Sequence, residues 1–197
     1  MIKDTIKNHK RIIFNGNGYD DSWVKEAESR GLLNLKTTPD ALPYFKAEEN
    51  IALFERQKVL SKEEVESRYE ILMDEYEKQI NIEALTMLDI AKKDILPAAS
   101  KFSKELTDTI ANKKAIGIDL TYELETAKKV SEYLTEAYQA MMTLENDVKK
   151  LHEIDDFEKS AFYVRDFIIQ DMAALRKPCD ELEVITCLLY TSDAADE

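Results

Sequence analysis

Lys10, Arg11 and the following Asn15-Gly16-Asn17-Gly18-Tyr19 are the residues whose types and spacing come nearest to phosphate chemistry. They form the only phosphate-loop-like element in the chain. Gly and Asn tolerate positive φ at little cost, so the run forces a turn. The order is neither GxxxxGK[ST] nor GxGxxG, so no phosphate cradle follows from it directly. Lys10, Arg11, Asn15, Gly16 and Asn17 are the candidate nucleotide-side residues, and a structural turn is the competing reading. Acid/base catalysis needs two carboxylates held in different environments within a cleft, and the many carboxylates here fall on polar helix faces. His9 and His152 are far apart, with no Cys or His nearby. Cys179 and Cys187 have no CxxC or paired-His context for zinc and read as unpaired thiols. No residue acquires a catalytic or metal-ligating assignment.

The elements that would position that loop are short. Residues 2–10 read as the end of a helix, with Ile2 and Ile6 four apart, running into Arg11-Ile12-Ile13-Phe14, a short extended apolar stretch. Asp20, Asp21 or Ser22 caps a helix whose Trp23, Val24 and Ala27 face inward and which stops at Gly31. Thr38 and Pro39 open another.

From Ser61 the pattern lengthens. Ser61 and Glu64 form a capping box. Behind it Val65, Tyr69, Leu72, Tyr76, Ile80, Ala84, Met87, Ala91, Ile95, Ala98, Phe102 and Leu106 keep one face, with a kink expected near Lys93 ahead of Pro97. After a loop at residues 115–119, Ala127, Val130, Leu134, Ala137, Met141, Leu144, Val148 and Leu151 keep an a/d register, the mark of a helix facing another helix along its length. A third helix from Asp156 to Lys177 buries Phe157, Ala161, Val164, Ile168, Met172 and Leu175 and stops before Pro178. Glu64→Arg68, Asp89→Lys93, Glu125→Lys129 and Glu145→Lys149 sit at i,i+4 in the favourable order. The expected fold is mainly α: short helices and turns, then an antiparallel bundle of three long helices.

Composition agrees. Four Gly and four Pro leave little room for the turns of an all-β fold, and 44% apolar residues suffice for a core. A net charge of −13 argues against a nucleic-acid surface, which needs clustered Lys and Arg. No apolar run approaches the about 18 residues of a membrane span, and the first residues lack an apolar signal core. A cytoplasmic protein without nucleic-acid or membrane partners is expected.

The stretch HKRIIFNGNGYDDSWVKEAESRGLLNLKTTPDALPYF (His9 to Phe45) closely resembles the part of type III glutamine synthetases that follows the catalytic domain. The resemblance continues through NIEALTMLDIAKKDILPAASKF (Asn81 to Phe102) into the later helices, covering residues 2–186. It implies an ATP-dependent ligase joining ammonia to glutamate through γ-glutamyl phosphate, with ATP and Mg²⁺ held by a catalytic domain upstream of Met1. It also implies a double-ring homo-oligomer, to which these helices contribute packing and assembly. Lys10, Arg11 and the Asn-Gly turn would then lie beside the nucleotide or substrate entrance. The family's Phe-Glu-Phe-Arg type motif is missing, so Met1 is expected to be an internal codon and the chain a C-terminal fragment, inactive and without cofactor by itself.

The expected division is residues 1–58 as the end of the catalytic domain and a connecting segment, 59–178 as the bundle, 179–186 as the start of a truncated tail, and 187–197 as non-native. CLLYTSDAADE (residues 187–197) breaks both the helical period and the resemblance, and looks like translated sequencing adapter. A fragment should leave Ile12, Ile13, Phe14, Trp23 and Leu32 to Leu35 incompletely buried, because their partner domain is absent. Two rivals are a self-contained helical scaffold or adaptor without catalysis, which should bury them, and a nucleotide-binding regulator using the Asn-Gly turn.

Overall fold

Ser61 opens the first long helix as the sequence implies: its N–H donates to Glu64 Oε2 at 2.7 Å, and its Oγ accepts from the Glu64 N–H at 3.3 Å. In the computed structural model, which describes residues 1–186, short helices α1 (Ile2–Asn8), α2 (Asp21–Ser29), α3 (Thr38–Phe45) and α4 (Glu48–Arg56) precede it. The first long helix then runs through α5 (Lys62–Ile90), a wide π turn (Ala91–Ile95) and α6 (Leu96–Ala115). Helix α7 (Thr121–Leu151) is the second. The third joins α8 (Phe157–Tyr163), another π turn (Val164–Ile168) and α9 (Ile169–Thr186). No strand occurs among the described residues. The chain is mainly α, with three long helices packed as an antiparallel bundle. The adapter reading of 187–197, including Cys187, lies outside the described residues.

Apolar periodicity explains the bundle. On α7, Val130, Ala137, Met141, Leu144, Val148 and Leu151 are buried, and Leu134 packs at the margin of the same core. On the first long helix the buried face is Val65, Tyr69, Met73, Ala84, Leu88, Ala91, Ile95 and Ala99. The expected Leu72 is instead 40% exposed, while Met87 and Ala98 lie at the core margin. Leu72, Met87 and Ala98 each stand one residue before a buried position, whereas Val65, Tyr69, Ala84, Ala91 and Ile95 are buried as expected.

Pro97 is accommodated differently from a simple kink. The Leu96 N–H bonds the Ala91 carbonyl in an i→i−5 turn, and Pro97 falls at the start of α6, where a missing N–H is tolerated. Pro178 does not end the third helix. The helix continues through Thr186, burying Pro178, Cys179, Leu182 and Thr186. The gain from burying Cys179 and Leu182 outweighs one lost backbone hydrogen bond. Residues 179–186 therefore extend the core.

Smaller expectations shift too. Lys10–Ile12 form a 3₁₀ turn, and the extended backbone begins at Ile13. Thr37, not Thr38, caps α3, its Oγ1 accepting from the Asp40 N–H. Asp20 caps α2, and Gly31, with φ +72°, stops it. Of the four ion pairs, Lys93–Asp89 (2.5 Å) and Lys149–Glu145 (3.3 Å) form. Glu64 is taken by its capping box, and Glu125→Lys129 does not close among the described ion pairs.

Candidate functional site

The candidate loop sits on a small aromatic platform. The 3₁₀ turn and extended Ile13 bring Phe14 onto Trp23 of α2, their rings stacked with centroids 4.0 Å apart and planes at 22°. The Arg30 guanidinium lies 5.3 Å from the Trp23 ring centroid, and its Nη1 donates to the carbonyls of Ile13 (2.9 Å) and Arg11 (3.3 Å). Gly16 lies close against the Phe14 ring: a Cβ there would stand 2.5 Å from Phe14 Cζ, so the ring would have to move. The positive φ values expected of this loop occur instead at Gly31, Lys58 and Gly117. Asn17 Oδ1 accepts from the Tyr19 N–H at 3.1 Å, a local Asx turn.

Lys10, Arg11, Asn15, Gly16 and Asn17 are all exposed. The Arg11 carbonyl is used by Arg30, Gly16 faces the Phe14 ring, and the Asn17 side chain is occupied by its own turn. Among the described residues, no three His, Cys, Asp or Glu side chains cluster as a metal site. A groove of about 460 Å³ does exist elsewhere, between the first and third long helices, lined by Ile82, Met87, Ile90, Met172, Leu175 and Cys179. Burial, then the charges of Glu183 and Asp180, push the Cys179 thiol up to about 11, so it is inert at neutral pH.

What the platform does offer is apolar surface. Ile12 and Leu33 are 59% and 62% exposed, Ile13 is exposed, and Phe14, Trp23, Leu32 and Leu35 are half-buried. The expectation that none of these reaches full burial holds for each of them.

Helix α3, by contrast, is fastened to the bundle. Leu42 and Phe45 pack against buried Tyr69, Met73 and Ala161. Glu158 Oε1 accepts from Lys46 Nζ at 2.8 Å and from the Tyr69 hydroxyl at 2.6 Å, and Lys46 stands 3.7 Å from the Tyr69 ring centroid. Those two donors, Lys46 first, hold the Glu158 carboxyl below its usual range. Arg165 pairs with Asp40 and Asp166 and covers the Phe162 ring at 4.7 Å. These groups staple helices together.

A further polar cluster that the sequence reading passed over lies between α7 and the third helix. Asp147 is 8% exposed, and its Oδ1 accepts from Lys150 Nζ (2.5 Å) and the Tyr163 hydroxyl (3.0 Å). Asp171 Oδ2, on the third helix, is buried without a hydrogen-bond partner among the described residues. Asp147 directly precedes the a/d residue Val148, and Asp171 directly precedes Met172; a charge beside each core stripe was the available signal.

The fold and its polar groups define a helical packing module: side chains staple helices, and the apolar side chains of residues 12–35 are among those left exposed. A family model described as the glutamine synthetase C-terminal domain matches residues 1–114, and the chain belongs to that family. It is 40% identical over 194 residues to a glutamine synthetase of Butyrivibrio fibrisolvens, covering 98% of this chain and 28% of that protein. It is 34% identical over 195 residues to the type-3 glutamine synthetase of Dictyostelium discoideum (94% of this chain, 26% of that protein). A Bacteroides fragilis glutamine synthetase is 24% identical over 190 residues, covering 93% of this chain and 26% of that protein. The chain thus spans little more than a quarter of the length of these curated relatives.

Proposed function

We propose that this chain acts as the helical C-terminal part of a glutamine synthetase, contributing packing and assembly to an enzyme that ligates ammonia to glutamate at the expense of ATP. The observation that carries this is the open apolar face of residues 12–35 on a chain that matches the C-terminal domain of that family. The face fits docking against the catalytic domain of the same protein. The carboxylates that bind Mg²⁺ and the groups that hold ATP then belong to that domain, and the loop carrying Lys10, Arg11, Asn15, Gly16 and Asn17 flanks the nucleotide entrance without holding it. Assembly into a double-ring homo-oligomer and a cytoplasmic location belong to the same reading. It is supported on the second point by the absence, among the described residues, of any helix long and apolar enough to cross a membrane.

The self-contained scaffold is disfavoured, because it should have buried Ile12, Ile13 and Leu33. The purified chain should form no glutamine from glutamate, ammonia and ATP, yet should restore ligase activity to a Butyrivibrio fibrisolvens enzyme truncated of the matching region. Glutamine formation by the chain alone would overturn the division of roles.

A further inference from the structure

We propose that the turn between α6 and α7 is a knob that seats in the groove between the first and third long helices of a second copy of this chain. The proposal deepens the assembly reading above and rests on it for the existence of contacts between copies. Ile116, Ile118 and Tyr122 are 71%, 52% and 73% exposed, all on this one turn and the helix start that follows it. Single exposed apolar side chains need no explanation, but three together at the tip of a helical hairpin form a patch. The tip is also fixed in shape. Gly117, with φ +69°, closes α6: its N–H donates to the Lys114 carbonyl (3.3 Å) and the Ile118 N–H to the Lys113 carbonyl (3.2 Å). Asp119 Oδ1 accepts from the Thr121 hydroxyl at 2.9 Å, and Lys113 pairs across the turn with the buried Glu123. A turn held this way gives up little conformational freedom on docking.

The groove offers the matching chemistry. Its volume of about 460 Å³ opens between walls carrying exposed Ile82 and Ile90 of α5 and half-buried Met172 of α9, over a floor of buried Ala91 and Leu175. Clefts of roughly 300–1,000 Å³ hold drug-sized ligands, so two isoleucine side chains fit. The charges around the two surfaces are complementary. Lys114 and Asp119 flank the knob isoleucines, while Glu83, Asp180 and Arg176 stand at the groove. Lys114 facing Glu83 or Asp180, and Asp119 facing Arg176, makes two attractive pairs that set the orientation of docking. Arg176 already pairs with Asp180 at 3.3 Å, but both are exposed and such a pair is worth little, so exchanging it costs little.

The knob does not reach the groove of its own chain. The groove is lined by Ala91 and Ile95 of the π turn, and α6 then runs 20 residues to Ala115 before the knob begins. At a rise of ~1.5 Å per residue that is about 30 Å of helix. The occupant is therefore another copy. Knob and groove are different patches of one surface, so the contact is head to tail, and repeating it closes a ring when the rotation allows and otherwise builds a filament. Three side chains cover far less than the roughly 1,200–2,000 Å² of a stable interface, so each contact is weak alone and adds up around a closed assembly.

Sedimentation equilibrium of the full chain at up to about 1 mM should show reversible association. Ile118→Asp spoils the knob and Ile90→Asp the groove; each should weaken association about tenfold or more and leave the circular dichroism unchanged. The decisive sample is an equimolar mixture of the two. Ile118→Asp keeps a sound groove and Ile90→Asp a sound knob, so the mixture should associate again but stop at dimers. Should Ile90→Asp fail to fold, Ile82→Asp, at a position 60% exposed, takes its place. A parent chain that stays monomeric to about 1 mM would leave both surfaces to another domain of the enzyme and overturn the contact between copies. A mixture no more associated than its components would overturn it too. Neither result bears on the docking of residues 12–35 to the catalytic domain, which restored ligase activity reads separately.

Discussion

Glu158 shows how one side chain ties three elements together, since its Oε1 receives Lys46 from the end of α3 and Tyr69 from α5 while its backbone lies in α8. A carboxyl held below its ordinary value contributes stability that is complete above the unfolded pKa of about 4.3 and is lost as pH falls through the folded one. Glu158→Gln should therefore lower the urea midpoint at pH 7 and leave stability changing less steeply below about pH 4.5 than in the parent chain. Parallel acid limbs for the two proteins would show that the staple does not carry this linkage. Of these contacts, none was legible in the sequence. Lys46, Tyr69 and Glu158 are 23 and 89 residues apart along the chain, and no local pattern announces a partner at that distance. Asp20, Ser61 and Glu64 were legible because a cap acts on backbone within three residues of itself.

At the scale of the elements, the a/d register of α7 was readable because one uninterrupted heptad run specifies one buried face. The first long helix was readable in part: Val65, Tyr69, Ala84, Ala91 and Ile95 are buried where the pattern placed them, and three other positions are shifted. Its π turn at Ala91–Ile95 inserts a wide turn that no residue pattern marks in advance, and Met73, Leu88 and Ala99 take the core positions assigned to Leu72, Met87 and Ala98. The third helix was misjudged for a different reason. Proline is a local signal, and its cost of about 3 kcal/mol is offset by the burial of Cys179 and Leu182 beyond it. Leu182 is 0% exposed, so Leu182→Ala should cost about 2–5 kcal/mol in chemical denaturation, as for other large core truncations. A change within about 0.5 kcal/mol, as expected of a surface position, would mean that the helix ends before Pro178 after all.

For the molecule as a whole, the three long helices close around a shared core while also exposing Ile82, Leu85, Ile90 and Val184, and the segment before α3 exposes Ile12, Ile13 and Leu33 without a core of that size beneath them. The shared core was foreseeable, because the three long helices carry complementary stripes, whereas Ile12, Ile13, Trp23 and Leu33 belong to no such stripe. The candidate loop was legible as a turn and no further: Gly16 serves the Phe14–Trp23 stack, a contact that depends on how α2 folds back and not on the order Asn-Gly-Asn-Gly. Trp23 is the chain's single tryptophan and sits half-buried in the open face, so its emission reports on that face alone. The most direct test is to add the purified chain to a Butyrivibrio fibrisolvens glutamine synthetase lacking the matching region and otherwise free of tryptophan, and to follow that emission. Docking should shift it to the blue in a saturable titration as water leaves the Phe14–Trp23 platform. An unchanged spectrum at saturating concentration would contradict the account of residues 12–35 as the face that meets the catalytic domain.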